Sequence, residues 1–115
     1  MGDYACLSEG VDCYCVAKIR IGAHSTVSQY SFLCTASHDY LQVDMPLVAA
    51  PITIGERVWI TADVFVGPGV TIGDGAVVTA RSSVFGDIPP WMVARGNPAE
   101  PVKARKFRET FDARQ

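Results

Sequence analysis

Residues 54–88 read IGERVW ITADVF VGPGVT IGDGAV VTARSS VFGDI, and in sixes they place an aliphatic residue at the head of every block: Ile54, Ile60, Val66, Ile72, Val78 and Val84. Four residues after each head stands Val58, Val64, Val70, Ala76, Ser82 or Ile88. A helix repeats its apolar positions about every 3.6 residues and a half-buried strand every second one, so this period belongs to neither. Six residues do hold a short strand and a turn. The head points inward from the strand and the smaller residue packs beneath the corner. The glycine after the head at Gly55, Gly67 and Gly73 is expected to supply a positive φ at the bend. One such unit cannot bury its own face. Successive turns of chain stacked ~4.7–4.9 Å apart pair their backbones and share one apolar interior, so the stretch predicts a β-solenoid.

The same frame runs upstream through Leu33, Val27 and Ile21, with Ser37, Ser31 and Ser25 in the small positions. A two-residue shift falls around 14–19, and the frame resumes at Cys13, Leu7 and Met1, paired with Ala17, Val11 and Ala5. Twelve hexads are readable and each has an apolar head, which excludes chance periodicity. The large interruption is HDYLQVDMPLVAAP, residues 38–51, which breaks period and contains Pro46 and Pro51. It must leave the coil as an excursion, and loops on a rigid scaffold are where binding and chemistry concentrate. His38 stands at its base. Past Val84 the repeat ends in Ile88-Pro89-Pro90-Trp91. The reading is thus a repeat region over 1–90 and a tail over 91–115. A short helix is expected in the tail from Pro101, with Phe107 and Phe111 one turn apart, closing the backbone edge of the last coil.

Composition sets the outer bounds. A chain of 115 residues, 49% hydrophobic and 19% charged, is one globular domain. A net charge of −2 provides no footprint for nucleic acid or an anionic membrane. No run approaches the ~18 apolar residues of a membrane span, and the start lacks the features of a signal peptide, so a cytoplasmic protein is expected. Cys6, Cys13, Cys15 and Cys34 form no CxxC pair and have no histidine at zinc-site spacing. They read as small buried thiols in a reducing compartment, with no metal.

The segments ITIGERVWI and VGPGVTIGDGAVV, the SHDY loop and the tail IPPWMVARGNPAEPVKAR resemble the hexapeptide-repeat acyltransferases. The nearest branch is the sugar O-acetyltransferases of the maltose, galactoside, nodulation and colanic-acid type. The resemblance covers nearly the whole chain, and loop plus tail are more specific than hexads alone. It implies an all-β fold, a left-handed parallel β-helix of about four coils. It also implies a homotrimer with sites between subunits, acetyl-CoA as co-substrate, and a small hydroxyl-bearing acceptor such as a sugar.

In such a reaction a loop histidine takes the proton of the acceptor hydroxyl as that oxygen attacks the thioester. His38 matches that position, and an imidazole of ordinary pKa near 6.5 suits the task. The resemblance places Ala62 and Ala80 along the pantetheine arm, where small side chains expose the backbone, and offers Arg81, Lys103 and Arg105 to the phosphates. Trp59 follows Val58 on a strand and so faces outward; with Asp39 and Asp12 it is a candidate for the acceptor side. His24, fourth in its hexad, is expected at an exposed corner without a chemical role.

Three departures stand out. Phe85-Gly86 replaces a Thr-Lys pair common in the family, Glu100 stands where a base is common, and Met1-Gly2 already occupies the first two places of a hexad. The last leads to the expectation that self-association covers the first coil. Two alternatives stay open: a xenobiotic O-acetyltransferase of the chloramphenicol or streptogramin type, and a catalytically silent β-helix serving assembly or binding. A γ-type carbonic anhydrase needs three histidines around zinc, and this chain has two.

Overall fold

The computed structural model describes residues 1–108. Its strands are β1 (Cys6–Leu7), β2 (Asp12–Tyr14), β3 (Ile19–Ile21), β4 (Thr26–Val27), β5 (Phe32–Cys34), β6 (Ala36–His38) and β7 (Leu47–Ala49). They continue as β8 (Ile52–Ile54), β9 (Trp59–Ile60), β10 (Phe65–Val66), β11 (Thr71–Ile72), β12 (Val77–Val78), β13 (Ser83–Val84), β14 (Met92–Gly96) and β15 (Ala99–Ala104). The repeating strands deal themselves in turn onto three faces. Face A is β1-β4-β9-β12-β14-β15, face B is β13-β10-β5-β2, and face C is β11-β8-β3.

Within each face the pairs between repeats are parallel, and their register follows the hexads. Ile54 pairs with Ile72, Ile60 with Val78 and Val66 with Val84, each step being three hexads of chain. Leu7 pairs with Val27 and Cys13 with Leu33, a step two residues longer, which is where the sequence shows its shift. Val27 pairs with Ile60 and Leu33 with Val66, the longer step that accommodates the excursion. From Ile21 onward the heads form the core: Ile21, Val27, Leu33, Ile54, Ile60, Val66, Ile72, Val78 and Val84 are all buried, together with Val58, Val64 and Val70, whereas the first-coil heads Met1 and Leu7 are exposed.

The small positions are more than space fillers. Ser25 Oγ donates to the Gly55 carbonyl (2.6 Å) and accepts from Val58 N–H (3.0 Å). One corner on, Ser31 Oγ donates to the Thr61 carbonyl (2.9 Å) and accepts from Val64 N–H (3.1 Å). Each buried hydroxyl thus satisfies itself and two backbone groups of the neighbouring coil. Ser37 does not join this series. It is exposed on β6, and the buried hydroxyl there belongs to Thr35, which donates to the Tyr14 carbonyl (2.7 Å). The chain leaves the coil at Ala36, so the frame cannot carry through Ser37.

The glycine expectation is corrected too. Gly55, Gly67 and Gly73 do not have positive φ; the left-handed residues come two places later, at Tyr4, His24, Tyr30, Arg57, Asp63, Arg81 and Trp91 as well as Gly75. All but Tyr4, which lies in the first coil, turn their N–H along the stacking axis to a carbonyl of the previous coil: Arg57 to Ala23 (3.0 Å), Asp63 to Gln29 (3.0 Å), Arg81 to Ala62 (3.0 Å), Trp91 to Asp74 (2.8 Å). These bonds offset the strain of a left-handed L-residue, about 1–2 kcal/mol. Gly73 is small for another reason: a Cβ there would lie 2.5 Å from the Pro90 nitrogen in the next coil.

Among the described residues there is no helix, and none long and apolar enough to cross a membrane. The expected helix from Pro101 is instead strand β15, antiparallel to β14. Folding back across Asn97-Pro98 lets Ala99–Ala104 pair with the free edge of β14, the task assigned to the helix. Phe111 lies outside the described residues. The excursion is a hairpin, β6 against β7, with Ala36 opposite Ala49 and His38 opposite Leu47; the coil resumes at Ile52. It therefore begins two residues earlier than the loss of period suggests. The cysteines are free but none is buried: Cys6 and Cys15 are exposed, Cys13 and Cys34 intermediate. Cys13 does head a hexad, but β2 is the end strand of its sheet.

Candidate functional site

The corner between faces B and C carries the hairpin, and His38 ends its first strand. His38 Nδ1 lies 2.8 Å from the Met45 carbonyl oxygen. A carbonyl only accepts, so Nδ1 carries the proton and Nε2 presents the lone pair. This fixes both the tautomer and the ring plane, and it gives an exposed imidazole the form a general base needs.

Asp39 holds the turn that makes this possible. Its N–H donates to the Pro46 carbonyl (3.0 Å). Its Oδ1 accepts from Leu41 N–H (3.1 Å) and its Oδ2 from Gln42 Nε2 (3.0 Å). Both carboxylate oxygens are thus engaged inside the hairpin, in the turn that also carries Met45.

The other sequence-predicted residues are spread around the prism. Asp12 is exposed at the start of β2 on face B, its Cα opposite Phe32. Trp59 is 49% exposed on β9 of face A, its Nε1 donating to Ser28 Oγ (2.9 Å) one coil below. Ala62 and Ala80 stack in adjacent turns at the corner between faces A and B, and Arg81 N–H donates to the Ala62 carbonyl. Arg81 Nε lies 3.9 Å from Asp63 Oδ2, with both side chains largely in solvent. Lys103 is exposed on β15, opposite Val93.

Arg105 is less available than expected. Its Nη1 donates to the carbonyls of Arg57 (2.9 Å) and Gly75 (2.9 Å), tying the tail to the corner between faces C and A. The five residues assigned to the cofactor therefore do not converge in one chain. Ala62, Ala80 and Arg81 share one corner while Lys103 and Arg105 belong to the tail.

Phe85, one of the departures, extends an outward aromatic ladder on face B. Phe32 and Phe65 meet edge to face at 5.6 Å between ring centres, and Phe85 follows at 5.7 Å. Burial pushes the Cys13 thiol up, with the neighbouring Cys15 and Asp12 adding to it. No group of three or more His, Cys, Asp or Glu among the described residues could hold a metal ion.

Two partners escaped sequence reasoning. The Met45 carbonyl has no signature, since every residue carries one. Ser28 is hidden because the step to Trp59 contains the excursion.

No protein-family model matches the chain. It is 53% identical over 105 residues to WcaF of Escherichia coli K12, a protein named as a colanic acid biosynthesis acetyltransferase. The alignment covers 91% of this chain and 58% of that one. The chain is also similar to the crystal structure of a maltose O-acetyltransferase from Clostridium difficile 630, with TM-score 0.82 and 28% identity over 93% of this chain and 70% of that one. The chain belongs to the hexapeptide-repeat acyltransferases. A hexapeptide-repeat-containing acetyltransferase of Vibrio cholerae O1 biovar eltor, solved in complex with acetyl coenzyme A, matches with TM-score 0.74 and 29% identity over 93% of this chain and 71% of that one. The fold is accordingly the left-handed parallel β-helix of this family. The chain spans 58% of the length of its E. coli relative.

Proposed function

We propose that this chain transfers an acetyl group from acetyl-CoA to a hydroxyl of a sugar or similar small acceptor, with His38 as general base. The observation that carries the reading is the bond from His38 Nδ1–H to the Met45 carbonyl, which commits the neutral ring to accept at Nε2. In this reading Nε2 takes the hydroxyl proton as the acceptor oxygen bonds to the acetyl carbonyl carbon. The carbon–sulfur bond then breaks, and the same proton passes to the departing thiolate, giving the acetyl ester and free coenzyme A. No nucleophilic cysteine or serine enters. The similarity to an acetyltransferase solved with acetyl coenzyme A supports the choice of donor.

The scatter of the other residues supports a site assembled from two copies. His38 leaves one corner of the prism; Ala62, Ala80 and Arg81 lie at another, with Trp59 on the adjoining face A. A neighbour's corner set against the hairpin would bring them together, in keeping with a homotrimer. The hairpin exposes Tyr40, Leu41, Val43, Leu47 and Val48, an apolar set that favours such a covering. Dependence on acetyl-CoA also favours a cytoplasmic location.

A thiol-release assay with acetyl-CoA against sugars, nucleotide sugars and antibiotics tests the reading and separates sugar from xenobiotic acceptors. Absence of coenzyme A binding at millimolar concentration by calorimetry overturns it in favour of a silent assembly module.

A further inference from the structure

The corner between faces C and A carries a cleft of about 330 Å³ that shares only Trp59 and Arg105 with the residues assigned to the transfer. Successive left-handed residues set Tyr4, His24, Arg57, Gly75 and Trp91 in one column along this edge. Gly75 has no side chain, and the Trp91 indole occupies the place a Cβ would take. The tail is fastened over the column. Arg105 N–H donates to the Trp91 carbonyl (2.7 Å), its Nη1 holds the Arg57 and Gly75 carbonyls, and its guanidinium lies 4.8 Å from the centre of the Phe107 ring. Phe107 meets Trp91 edge to face at 5.9 Å. Trp59 is held from the other side by Ser28.

His24, Thr26, Arg57, Trp59, Arg105 and Phe107 line the cleft, and among the described residues no carboxylate does. The acids of this corner, Asp3, Glu56 and Asp74, sit one place earlier in the turn, and Asp74 Oδ1 accepts from Glu56 N–H (2.8 Å). Among the described residues no carboxylate pairs with Arg57. The Arg57 guanidinium, without a counter-charge among the described residues, selects an anion, and Arg105, committed to the two carbonyls and the Phe107 ring, adds positive charge beside it. Two rings held by their own contacts select a flat ring. The volume falls in the range of small-molecule sites, about 300–1,000 Å³.

We infer that this cleft binds a nucleoside diphosphate, with the base against Trp59 or Phe107 and the phosphates at Arg57. The inference rests on the proposed transfer only in identifying the bound molecule as part of the acceptor, which would then be a nucleotide-linked sugar. An acidic sugar shares the anion chemistry but lacks the aromatic base.

The test is calorimetric titration of the full chain with UDP, inorganic pyrophosphate and glucuronate. UDP is expected to bind at least about tenfold more tightly than either of the others. Arg57→Asn keeps a residue that tolerates a left-handed backbone and is expected to weaken UDP about tenfold or more. Trp59→Leu is expected to weaken UDP but not pyrophosphate, and it decides the matter if Arg57→Asn does not fold. No heat with UDP at millimolar concentration, or unchanged affinity in both variants, overturns the inference. So does glucuronate binding as tightly as UDP, or complete displacement of UDP by saturating coenzyme A. Turnover is not read in this titration. UDP binding without acetyl transfer sinks only the proposed reaction, and transfer without UDP binding sinks only the cleft.

Discussion

The coil over Ile52–Val84 and the hairpin over Ala36–Ala49 are both built from strands, yet they distribute their side chains in opposite ways. In the coil every hexad head is buried and backbone groups are paired from turn to turn. In the hairpin everything from Ser37 to Ala49 except Asp39 and Pro46 is exposed, and its order rests on contacts within itself, such as Asp39 to Leu41 and Gln42 and His38 to Met45. Stability therefore resides in the one and the proposed chemistry in the other. A change in the hairpin can remove activity without unfolding, and a core change in the coil should do the reverse.

The widest separation is expected at His38. His38→Ala should lower acetyl transfer by about 10²–10⁴-fold, the usual contribution of a general base, while the melting temperature stays unchanged. A variant retaining more than about a tenth of the rate would contradict the assignment. The counterpart in the coil is Ile60→Ala. It is expected to cost about 2–5 kcal/mol in chemical denaturation through lost burial and an unfilled cavity.

Ser31→Ala tests whether the buried hydroxyls contribute as the packed heads do. It leaves Val64 N–H and the Thr61 carbonyl without their partner, and a loss of about 1–3 kcal/mol is expected. If stability does not change, these serines are spacers only. Asp39→Ala should cost under about 1 kcal/mol of stability, since its bonds lie in an exposed turn, yet lower the transfer rate by releasing the turn that presents Met45. Equal rates in the two proteins would detach Asp39 from the positioning of His38.

The smallest effect concerns the thiols of the first coils. With its thiol pushed up by burial, Cys13 keeps its proton to higher pH than an ordinary cysteine, and only the thiolate reacts. Near pH 8 it should therefore alkylate more slowly than exposed Cys6, and the difference should close as pH rises through its own pKa. Mass-resolved alkylation rates at several pH values check this.

The difference between the two regions also explains what could be read from the residues. Ile54 to Val84 announce the coil because burial on a stack of identical turns imposes one residue type at one spacing. The hairpin obeys no such repeat. Its position is visible as a loss of period, but its antiparallel pairing and its start at Ala36 are not. The Pro101 segment misled for a related reason. Two phenylalanines and scattered bases fit a helix locally, while the unpaired edge of β14 outweighed that local pattern. At Gly55 and Gly73 glycine is visible, but whether it serves a left-handed bend or the close passage of the next coil depends on residues about a coil away.

By itself, then, the sequence determined the hexad frame, the inward heads from Ile21 onward, the presence of an excursion between Leu33 and Ile54, and the histidine it carries. Only the tertiary structure decided which carbonyl orients that histidine and that the tail is a strand. Only it distributed Trp59, Ala62, Ala80 and Arg105 over different faces and corners. The physical reason is that burial is written residue by residue in side-chain type, whereas hydrogen bonds to backbone carbonyls and the meeting of distant turns depend on geometry that any residue can provide.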